Sequence, residues 1–197
     1  MRVLISSVGT RGDVQPALAL ALALRGLGQA VRLCVPPNFV DWAASLGFEA
    51  RPIGVEMRAP RPGEAPAPIT DLISDQFDVV GAAAEGCGLI VGAGAHQYAA
   101  RSIAVWLGAG YVDAVYAPVS LPSPDLAPPG SGGAPQTPAE NLRLWAEARG
   151  AWNARSLERV NANRARLDLP LIDDVLGHIL ADRPWLAADP LLGPAPS

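Results

Sequence analysis

Val8-Gly9-Thr10-Arg11-Gly12-Asp13-Val14-Gln15-Pro16 lies between the apolar run Val3-Leu4-Ile5 and a segment built almost entirely of Ala and Leu. A strand, a short glycine-bearing turn and a helix in that order open a doubly wound α/β fold, whose ligands sit in the crevice at the carboxyl ends of the strands. Asp13 therefore stands where such folds do chemistry. The turn lacks the G-x-G-x-x-G of a dinucleotide loop, so no pyrophosphate is expected there, which disfavours a nucleotide-binding oxidoreductase. An Asp beside a helix start also serves as an N-cap or a surface charge. In this setting Arg11-Gly12-Asp13 is a coincidental match to an adhesion tripeptide.

Outward from that turn, Arg2 to Ser7 reads as a buried strand, and Pro16 is expected at the start of the first helix, where its missing N–H costs nothing. Ala17 to Leu24 alternates with period two, but Ala and Leu are strong helix formers, so the segment reads as a helix apolar nearly all round and heavily buried, ended by Gly26 and Gly28. Val31 to Val35 is a second strand, Asn38 the N-cap of a helix over 39–46, and Phe48 to Ile53 a third strand. This β-α-β-α-β order predicts a parallel sheet. Gly54 to Pro68 is a Pro-rich loop. Thr70 is expected to cap a helix to about Glu85, Leu89-Ile90-Val91 to form the fourth strand, His96 to Leu107 a helix, and Tyr111 to Ala117 the fifth strand. A second loop, Pro118 to Gln136, ends at Thr137-Pro138-Ala139-Glu140, a capping box with Pro at the first helical position. The long helix that follows runs toward Leu167 with an interruption at Gly150. A short helix over 173–180 and a last strand over 185–188 complete the domain, expected to span residues 1–188. Residues 189–197 resemble the start of an interdomain linker.

The fold class implied is a three-layer α/β/α Rossmann-like domain with a mainly parallel sheet. At 197 residues, 50% hydrophobic and 17% charged, the chain fits one domain with a sizeable core. Its net charge of −4 supplies no basic footprint for nucleic acid. All 15 basic residues are Arg, a bias that points to a GC-rich bacterial gene. Cys34 and Cys87 lack metal-site or disulfide spacing and read as buried thiols. No stretch has the ~18 apolar residues of a spanning helix, and the expected compartment is the cytoplasm.

Gly92-Ala93-Gly94-Ala95-His96-Gln97 follows a strand and opens the expected helix, so its amides could meet an anion; a packed turn close to substrate reads better, since a third glycine is absent. His96 would share the crevice with Asp13, as a helix-start residue or as a ligand. Phe77, Tyr98, Trp106, Tyr116 and Trp145 read first as core and second as the lining of an apolar pocket. The arginines at 143, 149, 155, 159, 164 and 166, with Glu147 and Glu158 among them, read as a solvated face. Asp173 and Asp174 read as caps.

Gly9-Thr10-Arg11-Gly12-Asp13-Val14-Gln15-Pro16, followed at similar spacing by Cys34-Val35-Pro36-Pro37, Ala83-Ala84-Glu85-Gly86-Cys87, Arg101-Ser102-Ile103-Ala104, Leu121-Pro122-Ser123-Pro124 and Pro184-Trp185-Leu186-Ala187-Ala188-Asp189-Pro190, resembles the N-terminal half of GT-B glycosyltransferases that decorate glycopeptide and angucycline antibiotics. The opening motif is also similar to that of sterol glucosyltransferases, which brings lipid glycosylation into view. The resemblance spans essentially the whole chain. It implies an acceptor-binding domain of an inverting enzyme in which Asp13 is the general base, Thr10, Arg11 and Gly12 shape its loop, and Phe77, His96 and Tyr116 border a small-molecule aglycone. It further implies no cofactor or metal in this domain, and a nucleotide-sugar donor held by a C-terminal half that this chain lacks, so that the chain alone is expected to be inactive. The loop over 54–68 is shorter than the family's acceptor lid. A non-catalytic module that binds the acceptor or assists a partner glycosyltransferase is the alternative reading.

Overall fold

The structure, a computed structural model, describes residues 1–57, 71–132 and 137–191. Six strands, β1 (Arg2–Ser7), β2 (Ala30–Val35), β3 (Glu49–Pro52), β4 (Leu89–Ala93), β5 (Gly110–Val115) and β6 (Trp185–Leu186), form one sheet in the order β3-β2-β1-β4-β5-β6. Every pairing is parallel. The helices are α1 (Arg11–Gly26), α2 (Val40–Ser45), α3 (Leu72–Ala84), α4 (Ala100–Leu107), α5 (Pro138–Arg166) and α6 (Val175–Leu180).

Strand residues alternate between two cores, as the period of two demands. Val3, Ile5 and Val91 pack under α1 and α2 with Val14, Leu18 and Ala43. Leu4 and Ile90 face the other way, onto Phe77 and Val80 of α3 and Ile103 of α4. The result is the expected three-layer α/β/α sandwich. The strand order reverses between β1 and β4, and the crevice at their carboxyl ends is the position where doubly wound folds place ligands.

Several local expectations change. Helix α1 starts at Arg11, with Thr10 extended at the N-cap (φ −80°, ψ −174°), so the opening motif is mostly helix and Asp13 sits inside the first turn. Pro16 is thereby an interior residue; the carbonyl left without its N–H belongs to exposed Gly12, where water can reach it. Burial of α1 is one-sided: Val14, Ala17, Leu18 and Ala21 are buried, whereas Leu22 and Leu27 are exposed. Ala–Leu alternation places methyls on every side of a helix, and the sheet covers only one.

Asn38 does not cap α2. It lies in a 3-10 turn over Pro37–Phe39, and its Oδ1 accepts the Met57 N–H at 3.0 Å. Thr70 and most of the loop over 54–68 fall outside the described residues; α3 is capped by Asp71, whose carboxylate accepts from the Ser74 N–H. Helix α4 begins at Ala100, four residues after His96, which has a left-handed backbone (φ 64°). Helix α5 runs unbroken through Gly150 for 29 residues, about 44 Å at the usual rise. A helical glycine costs only ~1 kcal/mol, and buried Trp145, Ser156 and Val160 on either side hold the helix in register. Its Thr137–Glu140 capping box with Pro138 at the first position is as expected.

Five of the six arginines of α5 are exposed, as the solvated reading expects, and several carry ion pairs. Arg149 pairs with Asp174 at 3.0 Å, Arg166 with Asp78 at 3.2 Å, and Arg159 with Asp71, so α5 is braced to α3 and to the head of α6. Arg164 is buried. It donates to the Pro170 carbonyl at 2.7 Å and to Ser102 Oγ at 2.8 Å, and Ser102 lies 3.0 Å from His178 Nε2. With Arg164 donating to the serine oxygen, the serine proton points at His178, whose Nε2 is the acceptor. This knot ties α4, α5 and α6 together.

Candidate functional site

The loop after β1 places Asp13 by two constraints. Its Oδ2 accepts the Thr10 N–H at 2.8 Å and the Thr10 hydroxyl at 3.3 Å, which fixes the carboxylate at the helix N-terminus, where negative charge is favoured. Two glycines make room for it. A β-carbon on Gly9 (φ +153°) would stand 2.2 Å from Asp13 Oδ2, and one on Gly94 (φ +83°) would stand 3.0 Å from Oδ1. Both positions therefore need glycine for conformation and for space.

Gly94 belongs to the turn after β4, which carries His96. Buried Gln76 holds this turn by donating to the His96 carbonyl at 2.8 Å. The imidazole stacks on Trp152 of α5, with centroids 5.3 Å apart and planes at 29°, and lies beside Tyr98 at 6.0 Å. Desolvation and then the Arg155 cation lower its pKa, against a smaller opposing pull from Asp13. His96 thus favours the neutral imidazole.

Between this turn, β5 and the helices α5 and α6 lies a cavity of about 490 Å³, within the usual size range of small-molecule sites. Asp13, His96 and Tyr116 all line it, together with Asp113, Trp145, Trp152 and Arg155. Tyr116 follows β5 and touches the Gly94 turn; its buried hydroxyl has no hydrogen-bond partner among the described residues. Burial, and then the charges of Asp13 and Asp113, raise the Tyr116 pKa well above its ordinary value. Asp113 is 1% exposed. Its pKa is pushed up to about 7 by desolvation, partly opposed by the Tyr111 hydroxyl.

The other sequence candidates lie elsewhere. Thr10, Arg11 and Gly12 form the head of α1 outside the cavity lining; Arg11 stacks over Trp42 at 5.2 Å and donates to Gln15. Phe77 is core beneath α3, as is Tyr98 in the same cluster. Trp106 is 46% exposed. The Gly92 to Gln97 segment is a packed turn, the preferred of its two readings, and its amides do not open a helix because Gly94 to Ala99 precede α4.

Trp145 lines the cavity, in keeping with its second reading as pocket wall, whereas Asp113, Ala148 and Trp152 are not among the sequence candidates although each has a signal. Asp113 is a lone acid in the apolar strand Tyr111–Val115. Trp145, Ala148, Trp152 and Arg155 follow a spacing of three, four and three, which keeps them on one face of α5. Among the described residues no three His, Cys, Asp or Glu side chains could hold a metal ion, and no helix is long and apolar enough to cross a membrane.

Comparison with known proteins adds independent observations. Residues 3–85 match the glycosyltransferase family 28 N-terminal domain. Glycosyltransferase GtfC of Amycolatopsis orientalis is 40% identical over 207 aligned residues, covering 100% of this chain and 51% of the relative. The vancomycin aglycone glucosyltransferase of the same organism is 36% identical, covering 98% and 50%. The chain spans about half the length of the curated relatives it matches. Among solved structures, the spinosyn forosaminyltransferase SpnP superposes with a TM-score of 0.58 at 19% identity, over 97% of this chain and 46% of that one. Glycosyltransferase VinC in complex with dTDP gives 0.57 at 17%, over 98% and 50%. At those identities the two structures speak for the fold.

Proposed function

Since residues 3–85 carry a glycosyltransferase family 28 N-terminal domain and the chain is homologous to glycopeptide antibiotic glycosyltransferases, we propose that it is the acceptor-binding half of an inverting glycosyltransferase acting on a natural-product aglycone. The observation that carries this reading is the position of Asp13, at the switch point of the sheet and on the wall of an aromatic-lined cavity.

An acceptor hydroxyl is a weak nucleophile. Asp13 takes its proton as the oxygen attacks the anomeric carbon of the sugar; the new C–O bond forms on the face opposite the leaving nucleoside diphosphate, whose bond to that carbon breaks. Thr10 occupies Oδ2 with two hydrogen bonds, which leaves Oδ1 for the proton. The neutral His96 and Tyr116 border the acceptor. Residues 1–188 form this domain. The donor is bound by a second half of similar size, in keeping with relatives about twice as long, and the half described here does not turn over by itself.

The test is Asp13→Asn in the complete two-domain enzyme. General-base assistance is worth roughly 10²–10⁴-fold, so kcat should fall by that order with acceptor affinity kept within a factor of about two. Unchanged kcat would remove Asp13 from the mechanism.

A further inference from the structure

The cavity lining holds a polar group that the transfer step does not use. Asp113 lies on the same face of β5 as Tyr111 and Val115, turned toward α5 and α6, and is almost fully buried. Its Oδ1 sits 3.3 Å from the Tyr111 hydroxyl, while that hydroxyl lies closer, 2.9 Å, to the Ile179 carbonyl. A tyrosine hydroxyl has one proton. Shared with Ile179 at the shorter distance, it reaches at most one oxygen of Asp113, Oδ1. Oδ2 takes no hydrogen bond from this pair, and the nearby Tyr116 hydroxyl is buried without a partner among the described residues. The rest of the lining is mostly indole, proline and aliphatic side chain, with Asp13, His96, Ser120 and Arg155 as its other polar members. Once an apolar ligand displaces water from the cavity, an acceptor oxygen there is costly unless something donates to it.

We propose that Asp113 is a specificity-determining residue whose Oδ2 accepts a hydrogen bond from a hydroxyl at the buried end of an otherwise apolar, ring-shaped acceptor. This rests on the acceptor-binding reading and narrows it: the hydroxyl held by Asp113 is distinct from the one that reacts at Asp13. An acceptor then needs two polar points on an apolar ring system, one for Asp13 and one for Asp113. An analogue without the buried hydroxyl leaves Oδ2 unpaired and is rejected by about the value of one buried hydrogen bond, near tenfold.

The experiment uses this chain with 2-naphthol and 2-methoxynaphthalene as probes. Binding is read by quenching of tryptophan emission, to which Trp145 and Trp152 in the lining respond, with circular dichroism confirming the fold of each variant. Wild type should bind 2-naphthol about tenfold more tightly than its methyl ether. The preference should shrink to within twofold in Asp113→Ala and survive in Asp113→Asn, which keeps an acceptor oxygen. Equal binding of the two probes to wild type, or a preference that persists in Asp113→Ala, overturns the assignment while leaving the cavity as an acceptor site. If neither probe binds a folded wild-type chain, the acceptor-binding reading fails and this assignment fails with it.

Discussion

Gly9 and Asp13 share one volume: a β-carbon on Gly9 would fall 2.2 Å from Asp13 Oδ2 and 2.9 Å from Asp13 Cβ. The glycine is part of the carboxylate's seat, and its φ of +153° is one that side-chain-bearing residues rarely adopt. Gly9→Ala should destabilise the protein by about 1–3 kcal/mol, measured by urea denaturation. Part of that loss should return in the Gly9→Ala, Asp13→Ala double variant, because the steric conflict with the carboxylate is then gone. Strictly additive losses would mean that the two residues do not compete for space.

Asp113 makes stability depend on pH from the alkaline side. Its folded pKa, about 7, lies above the ordinary 3.8, so its contribution is complete below 3.8 and is lost as pH rises through 7. The groups facing it are Tyr111, Tyr116 and, across the cavity, Asp13. Asp113→Asn should therefore gain on wild type between pH 5 and pH 8, by something on the order of 2–4 kcal/mol. Denaturation midpoints at the two pH values give the difference directly, and parallel behaviour of the two proteins would show that Asp113 titrates normally.

His178 acts in the opposite sense. Burial first, then Arg164 and Arg101, lower its pKa from 6.5 to about 4. A depressed folded pKa contributes stability that is present above 6.5 and lost as pH falls toward 4. Wild type should lose roughly 1–3 kcal/mol more than His178→Gln between pH 7 and pH 4.5, as the Ser102–His178–Arg164 knot is forced to accept a second cation.

The strands and most helix ends were readable because local chemistry settles them. Thr137, Pro138 and Glu140 specify a helix start whatever surrounds them, and an apolar run such as Val3-Leu4-Ile5 ahead of a glycine-bearing turn can only be a buried strand here. Pro16 and His96 misled for a common reason. The local pattern marks each as a helix boundary, whereas the carbonyl opposite Pro16 is free to meet water and the turn bearing His96 is held open by Gln76, twenty residues away in sequence. Of the candidate site, Asp13 in the first turn of α1, His96 and Tyr116 follow the carboxyl ends of β1, β4 and β5, so a sequence that locates the strand ends brings them to one cavity. Arg11 and Phe77 are also near strand ends or helix faces, yet their direction is set by packing against Trp42 and the α3 core, which no local pattern encodes. Asp113 was passed over because a single acid in a strand interior looks like an edge residue until the cavity above it is seen.

Both thiols should be inert in the native protein. Cys34 is fully buried, with its pKa pushed up to about 12 by desolvation, and burial raises Cys87 as well. Reaction of an aromatic disulfide reagent at pH 8 should be slow for both thiols until denaturant is added. Rapid labelling of one equivalent would place a thiol at the surface.

The acceptor cavity itself is tested most directly by calorimetric titration of this chain with a panel of polyketide and glycopeptide aglycones, run in parallel on Trp152→Ala. At least one aglycone should bind wild type, with its affinity reduced at least tenfold by the loss of the indole that stacks on His96. Binding that is indifferent to Trp152, or a folded chain that binds none of the panel, would show that the cavity between α5 and the Asp13 loop is not where an acceptor sits.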